Sequence, residues 1–501
     1  MSVFAPAAVS FLAGLVLVPL VRRVARDRGV VASPRPDRWH RRPTALMGGI
    51  AIWAAVLAGI ASASPPQHHL WGLLLGGSVL VVVGFVDDIV RLRPATKLVA
   101  QIFAAAVAIQ FGFRVEFFPF EVLNLAASFL WIVAITNAVN LLDNMDGLAA
   151  GIVWIAVVAL LGSAAPAPSG VTLLSMSMSG AIAAFLIFNF PPASVFMGDC
   201  GSMFLGFVVA GLALAGTHAS EAASFILVPA LILTIPILDT TLVTVTRFLA
   251  GRSIAMGGRD HVSHRLVRLG FSEKQAVILL WLLAVLAGAA AVLGREAPSH
   301  WSLGAPLVVI VGFAILGRWL SREDLNRDGG SESFAGNDTS PRRLFLAVGI
   351  DLVLLIACYA FAYALRFQWD PTTPYWARFE ESLPIVLACT LVAFAYGGIY
   401  DALEFRRSGE SFRGYLASST LAVLLSIGAI TLGYRFENYP RSVFLLYGAL
   451  AFVALILSRE ALRAILARSW LPVLGAARGR SFAGREAARR GGATYERTLP
   501  G

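Results

Sequence analysis

A succession of long apolar runs, separated by short polar segments, constrains this chain more than any other feature. They fall near residues 3–21, 45–64, 69–86, 98–113, 123–140, 148–165, 170–188, 202–217, 222–246, 276–294 and 302–320, then near 344–365, 383–400, 415–433 and 443–458. A run of roughly 18 or more apolar residues can cross the hydrocarbon core of a bilayer as a helix. Inside hydrocarbon the backbone must satisfy its own hydrogen bonds, which a helix does within one segment. The expected fold is an all-α polytopic membrane protein, with about eleven transmembrane helices in a first domain and about four in a C-terminal block. Composition agrees: 57% of the 501 residues are hydrophobic and 14% charged, more apolar surface than a soluble domain of this size needs. The expected division is a membrane domain over 1–320, a polar cytosolic linker over 321–341, a four-helix accessory membrane domain over 342–470 and a basic cytosolic tail over 471–501.

The charges then set an expected orientation. The net charge of +10 could by itself suggest a nucleic-acid partner, but its distribution argues for membrane topology instead. With the N-terminus outside, 34 of the 40 Lys and Arg fall in segments on the cytosolic side. The other 6 are Arg114, Arg295, Arg366, Arg378, Arg435 and Arg441, on the outer side. That bias puts the C-terminus in the cytosol. The first run begins at Phe11 with no Lys or Arg before Arg22, so it reads as a membrane helix and not as a cleaved signal peptide. Cys200, Cys358 and Cys389 are too scattered for a disulfide framework or a zinc site.

In that orientation the unusual polar residues share one side. Asn140, Asp143 and Asp146 recur at i, i+3 and i+6 where one apolar run ends and the next begins, which puts them roughly on one face of a helical turn. Other cytosolic segments hold His40, Thr44 and Gly48-Gly49; Asp87-Asp88 and Lys97; Asn189, Phe196 and Asp199; and Asp260, His261, His264 and Arg265. The outer loops carry nothing comparable; His68, His69, His218 and His300 read as interfacial, and Trp301 and Tyr375 as the aromatic belt. Lys97 fits either a site lysine or a lysine snorkelling to the surface. Asp239, inside an apolar run beside Pro236, is a buried carboxylate with a structural or functional role. Asp351 reads as a structural partner for an Arg near the start of its helix.

Oxygen ligands without cysteine suit Mg²⁺, with Mn²⁺ as the alternative. Asp199 lies between Gly198 and Gly201, where backbone can approach a phosphate. Carboxylates, a lysine, histidines and arginines at one membrane face form a parts list for phosphoryl transfer, in which positioning and charge neutralisation supply most of the catalysis. A membrane-embedded enzyme with a cytosolic phosphate substrate implies that the other substrate is a lipid. The rival class is a transporter or lipid flippase, which would keep its polar groups near the midplane and often carry inverted repeats; no repeat is evident.

Five motifs in order, His40-x-x-Pro43-Thr44 with Gly48-Gly49, Asp87-Asp88, Asn140-x-x-Asp143-x-x-Asp146-Gly147, Phe196-Met197-Gly198-Asp199-x-Gly201-Ser202 and Asp260-His261-x-x-His264-Arg265, resemble the polyprenyl-phosphate N-acetylhexosamine-1-phosphate transferases over roughly residues 1–320. The resemblance implies a bacterial inner-membrane enzyme. It would move N-acetylhexosamine-1-phosphate, GlcNAc-1-phosphate above others, from a UDP-sugar to undecaprenyl phosphate. UMP would leave, and a cell-envelope polysaccharide would be started. It implies Mg²⁺ on Asp199, with Asp88 as the second metal candidate. It implies roles for Asp87 and Asp88 at the lipid phosphate and pyrophosphate, and for His261 and His264 near the sugar phosphates. The nucleoside would lie near Asn140, Asp143 and Asp146, with Phe196 against the uracil. His40, Thr44, Lys97, Asn189 and Arg265 complete the expected substrate contacts. The expected partners are thus a UDP-N-acetyl sugar, undecaprenyl phosphate and the bilayer, with a homodimer left open and nucleic acid not expected. The fifth motif lacks the three consecutive His of the related phospho-MurNAc-pentapeptide translocases, which turns the reading away from peptidoglycan. The C-terminal block, with Asp351, Tyr363-Ala364-Leu365-Arg366-Phe367, Gly398-Ile399-Tyr400 and Ser458-Arg459, resembles the membrane part of polysaccharide-biosynthesis nucleotide-sugar dehydratases. Val473–Gly479 looks like a degraded start of a dinucleotide fold, and cofactor binding there is not expected.

Overall fold

Apolar length and helix breakers between them account for nearly every element of the computed structural model, which describes residues 4–32, 43–63, 68–163, 169–215, 228–249, 251, 258, 260–296, 312, 341–368, 375–399, 408–435 and 439–461. The chain divides into two compact units, one of Met1–Ser333 with Glu380–Ala388, the other of Phe334–Phe379 with Cys389–Gly501. The expected span at 302–320 apart from Gly312, the linker at 321–340, the tail at 471–501 with Val473–Gly479, Tyr400, Trp301, His40, His218 and His300 all lie outside the described residues.

The first unit carries α1 (Ala5–Asp27), α2 (Gly48–Ala61), α3 (Leu70–Val90), α4 (Pro94–Gln110), α5 (Glu121–Leu142), α6 (Leu148–Ser163), α7 (Ser169–Asn189), α8 (Gly198–Ala215), α9 (Thr234–Leu249), α10 (Val262–Arg268) and α11 (Glu273–Glu296). Among the described residues ten helices of the whole chain are long and apolar enough to cross a membrane, six of them in this unit. Three of the expected spans have other bounds than their apolar runs. The helix α2 has 14 residues, about 21 Å at 1.5 Å per residue, because the residues before it are taken by other pairing. Ala45 accepts from the Phe196 amide, and the Gly48 and Gly49 amides donate to Phe196 and Met197 carbonyls. Pro94 starts α4 four residues before the apolar run suggests, since proline fits a first turn, and Gly112 at φ +97° follows its end. The run at 222–246 is interrupted at Leu233, three residues before Pro236, whose missing N–H and ring deny the backbone one helical bond.

Burial sorts the helices into a centre and a periphery. Every residue of α8 from Cys200 to Leu214 is buried. A helix apolar on all sides belongs in the middle of a bundle. It packs on α3 and α5, α3 packs in turn on α4, and α1 lies against α2 and α7. Peripheral faces carry exposed apolar residues, Leu12, Val16 and Leu20 on α1 and Val82 and Val86 on α3, as lipid contact requires. Small residues permit the closest crossings: a Cβ on Gly84 would lie 2.5 Å from the Cys200 backbone, so α3 and α8 touch there main chain to main chain. A two-residue antiparallel ladder, Val31↔Ala45 and Ala32↔Thr44, extends through a parallel bridge from Ala45 to Val195.

The second unit has α12 (Pro341–Phe367), the two ends of α13 (Tyr375–Tyr396), α14 (Ser408–Tyr434) and α15 (Arg441–Ala461); the middle of α13, Glu380–Ala388, groups with the first unit. Asp351 finds a partner in Arg459 near the end of α15, 108 residues on. The antiparallel return of the last helix brings the two together, both less than 5% exposed. Tyr359 packs against Tyr363, Phe379, Phe444 and Tyr447, and the Tyr447 hydroxyl bonds Thr390 at 2.8 Å.

Candidate active site

The ends of α3, α5 and α7 and the starts of α4 and α8 meet at one end of the first unit. Asp87 lies in the last turn of α3, Lys97 in the first turn of α4 and Asp199 in the first turn of α8. Lys97 Nζ donates to Asp87 Oδ2 at 3.0 Å and to Asp199 Oδ2 at 2.7 Å. The three side chains retain 24%, 11% and 29% of their exposure, so the cluster is open to solvent yet partly desolvated. Lys97 is therefore a bridging cation between two carboxylates and not a snorkelling lysine. Asp87 Oδ1 also accepts the Leu92 amide at 2.5 Å, which pins the turn leaving α3.

Asp88, the adjacent carboxylate, turns to a different partner. Its oxygens accept the amides of Asp199 at 2.9 Å and Cys200 at 3.4 Å, the unpaired N–H groups that open α8. Gly198, at φ +74°, makes this possible: a Cβ there would lie 2.5 Å from Asp88 Oδ2. A carboxylate from α3 thus completes the start of the central helix.

A second layer joins the turn after α5 to the segment before α8. Asn140 Nδ2 donates to Ser202 Oγ at 2.8 Å. Asp143 ends α5, and Asp146 Oδ2 accepts the Ala193 amide at 2.8 Å. Asn189 is buried: its oxygen accepts the Gly147 amide at 3.0 Å and its NH₂ donates to the Val195 carbonyl at 2.9 Å. It works as a strut between the two loops. Thr44 is buried in the short ladder, and Phe196 is half-buried beside it. Deeper still, Gln101 and Asn137 exchange two amide hydrogen bonds at 2.7 and 3.2 Å, tying α4 to α5 one turn below Lys97.

The fifth segment is held by α9. Asp239 accepts from His261 Nδ1 at 2.8 Å and from the Val262 amide at 2.6 Å. Arg247 forks onto both oxygens of Asp260, each at 2.7 Å. Burial raises the Asp260 carboxyl, but the Arg247 guanidinium outweighs it and holds the pKa below its ordinary value. Arg265, 2% exposed, donates to the Asp260 carbonyl at 2.6 Å and to Thr246 Oγ1 at 3.3 Å, a buried tie from its own segment to α9. His264 is buried with its ring centroid 6.0 Å from that of His261. Ser263 Oγ donates to Asn144 Oδ1 at 2.7 Å and so links this segment to the turn after α5. The residues expected at one site therefore form two clusters, Asp87–Lys97–Asp199 with Asp88, and His261–Asp239, connected through the loop from Asn140 to Gly147.

Sequence reading left several of these partners unassigned. Ser202 stands in a quoted motif without a partner assigned, while Ser263, Gln101 and Asn137 look like ordinary polar residues in apolar or loop segments, and only the fold reveals what they touch. Asp239 was detectable from its place in an apolar run.

Among the described residues no three His, Cys, Asp or Glu side chains converge as a ready-made metal site. Magnesium does not need three, since it usually takes one or two carboxylates together with substrate phosphates and water. The donor set fits it: Asp87 and Asp199 present oxygens to the same cationic group.

Comparison with known proteins agrees in position with this geometry. The family model described as glycosyl transferase family 4 matches residues 70–217, from α3 to just past α8. A probable undecaprenyl-phosphate N-acetylglucosaminyl 1-phosphate transferase of Bacillus subtilis is 34% identical over 322 residues, spanning 62% of this chain and 89% of the relative. A decaprenyl-phosphate N-acetylglucosaminephosphotransferase of Mycobacterium tuberculosis is 32% identical over 349 residues, 61% of this chain and 86% of the relative. A phospho-N-acetylmuramoyl-pentapeptide-transferase of Lactobacillus johnsonii is 29% identical over 309 residues, 55% of this chain and 94% of the relative.

Proposed function

Because the chain belongs to glycosyl transferase family 4, among relatives that are polyprenyl-phosphate N-acetylglucosamine-1-phosphate transferases, we propose that it transfers N-acetylhexosamine-1-phosphate from a UDP-sugar to undecaprenyl phosphate. An oxygen of the lipid phosphate attacks the sugar-bearing phosphorus of the donor. The bond from that phosphorus to the bridging oxygen breaks, and UMP leaves with the bridging oxygen and its electron pair. The product is a lipid-linked diphosphate sugar.

The observation that carries this reading is the Lys97 ammonium set between Asp87 and Asp199 at the helix ends. Two phosphate groups can be brought together only where their negative charge is met by fixed cations and oriented amides. Lys97 meets an anionic oxygen at the mouth of the bundle. Asp88 holds the start of α8, and with it Asp199, in place. Asn140, Asp143, Asp146 and Phe196 line the loop side, where the nucleoside sits in this reading. Asp199 and Asp87, with Asp88 beside them, would hold Mg²⁺ jointly with the donor diphosphate. When bound, it supplies neutralisation of phosphate charge. The second unit is an accessory membrane domain in this reading, with the site on the cytosolic side of the bacterial inner membrane.

The test is purified full-length protein in detergent with undecaprenyl phosphate, Mg²⁺ and a panel of UDP-N-acetyl sugars, with UMP release followed directly. Release that needs both lipid and UDP-GlcNAc supports the reading. Transport of a lipid-linked sugar in proteoliposomes without any UMP release would overturn it and favour the flippase class.

A further inference from the structure

The geometry points to Asp239 as a positioning residue that fixes the tautomer and aim of His261. The inference rests on the transferase reading, with His261 near the sugar phosphates as the family resemblance implies. Asp239 lies in α9 and is 1% exposed. Its two oxygens are committed to adjacent donors, Oδ2 to His261 Nδ1 at 2.8 Å and Oδ1 to the Val262 amide at 2.6 Å. A buried carboxylate costs several kcal/mol unless its lone pairs are met, so these two bonds explain why an acidic residue persists in an apolar helix. They also have a directional consequence. A carboxylate cannot donate, so Nδ1 must carry its proton, and the neutral ring presents an unprotonated Nε2 on the opposite edge. The Val262 bond sets the first turn of α10, so ring orientation and backbone are fixed by one group. Asn144, through Ser263, ties the same turn to the loop of Asp143 and Asp146.

Asp239→Asn separates this role from simple packing. The amide keeps the shape of the carboxylate but has one oxygen and one NH₂. A backbone N–H cannot become an acceptor, so the oxygen stays on the Val262 amide and the NH₂ turns to Nδ1. The imidazole then moves its proton to Nε2. The expected result is a reversed tautomer, seen in nitrogen-15 spectra of histidine-labelled protein with the His261 signals assigned by their loss in His261→Gln. Turnover falls at least ~tenfold, within the range of a single proton-transferring or orienting group, while KM for UDP-GlcNAc stays within about twofold. The double variant is no slower than His261→Gln alone, because Asp239 acts through that ring. Melting in detergent close to that of wild type confirms the fold.

An unchanged tautomer, or full turnover in Asp239→Asn, would overturn the inference. So would losses that multiply in the double variant, the mark of a merely structural role. A fully active His261→Gln would remove His261 from the reaction, and this inference with it, while leaving the transferase reading intact. Failure of the wild-type protein to transfer at all would instead overturn that reading.

Discussion

Lys97→Met removes the cation that bridges Asp87 and Asp199 while keeping most of the side-chain volume. At 3.0 and 2.7 Å, each contact has a Coulomb attraction of about 5–6 kcal/mol at an effective dielectric of ~20. Desolvation of three charged groups takes most of that back. What remains is nearer two charge-assisted hydrogen bonds, about 1.5–3 kcal/mol each before solvent screening. All three side chains keep some exposure, so the expected loss of stability is about 2–4 kcal/mol. Asp87 and Asp199 are then like charges without the Lys97 ammonium between them, and a divalent ion becomes their natural partner. Thermal unfolding in detergent across a Mg²⁺ titration reads both effects. The variant should melt below wild type without Mg²⁺ and rise more steeply as Mg²⁺ is added. Turnover should fall at least ~tenfold at all Mg²⁺ concentrations, since the metal replaces the charge but not the ammonium's hydrogen bonds to phosphate. A variant that melts like wild type without Mg²⁺, or gains nothing from it, would refute the argument that Lys97 compensates this acidic pair.

Asp199→Asn keeps the shape but loses the charge, and steady-state kinetics should show turnover reduced by roughly a hundredfold. Gly84→Ala adds a methyl 2.5 Å from the Cys200 backbone one helical turn before Asp88, so transfer and melting temperature should both drop although no functional group has changed. The depressed pKa of Asp260 means its pair with Arg247 adds stability above the unfolded carboxyl value, near 3.8, and loses it only as pH falls through the lower folded value. Asp260→Asn should therefore melt below wild type by a constant margin at neutral pH, closing only in acid. Asp351→Asn removes the carboxylate charge that two nitrogens of the buried Arg459 meet, and unfolding of the second unit should shift by about 3–5 kcal/mol toward lower stability.

The sequence was most readable where one physical cause acts alone. Apolar length places the helices, and prolines and glycines at 94, 112, 147 and 236 account for their ends or breaks. Asp87-Asp88 at a helix end announces a site, because charge there is costly without a purpose. What sequence could not supply was the assignment of partners. Asn189 stands among the site residues, yet its side chain bonds Gly147 and Val195; Arg265 stands with the phosphate-binding groups, yet it is buried against Asp260 and Thr246. Hydrogen-bond partners 42 to 119 residues apart depend on how helices are stacked, which local periodicity does not encode. The short α2 was misjudged for the same reason, since pairing with residues 195–197 claims the backbone that an apolar run would give to a helix.

The tie from Ser263 to Asn144 has a consequence for biogenesis. The reacting end of the bundle is stitched from segments as early as Ala45 and as late as Arg265, with no subset of neighbouring helices holding all of its groups. A nascent chain halted after α8 would already own Asp87, Lys97 and Asp199 but lack the turn that Asp239 and Asn144 hold in place. In the transferase reading such a halted chain lacks Asp239 and His261, so full turnover is expected only once the segment after α9 has docked.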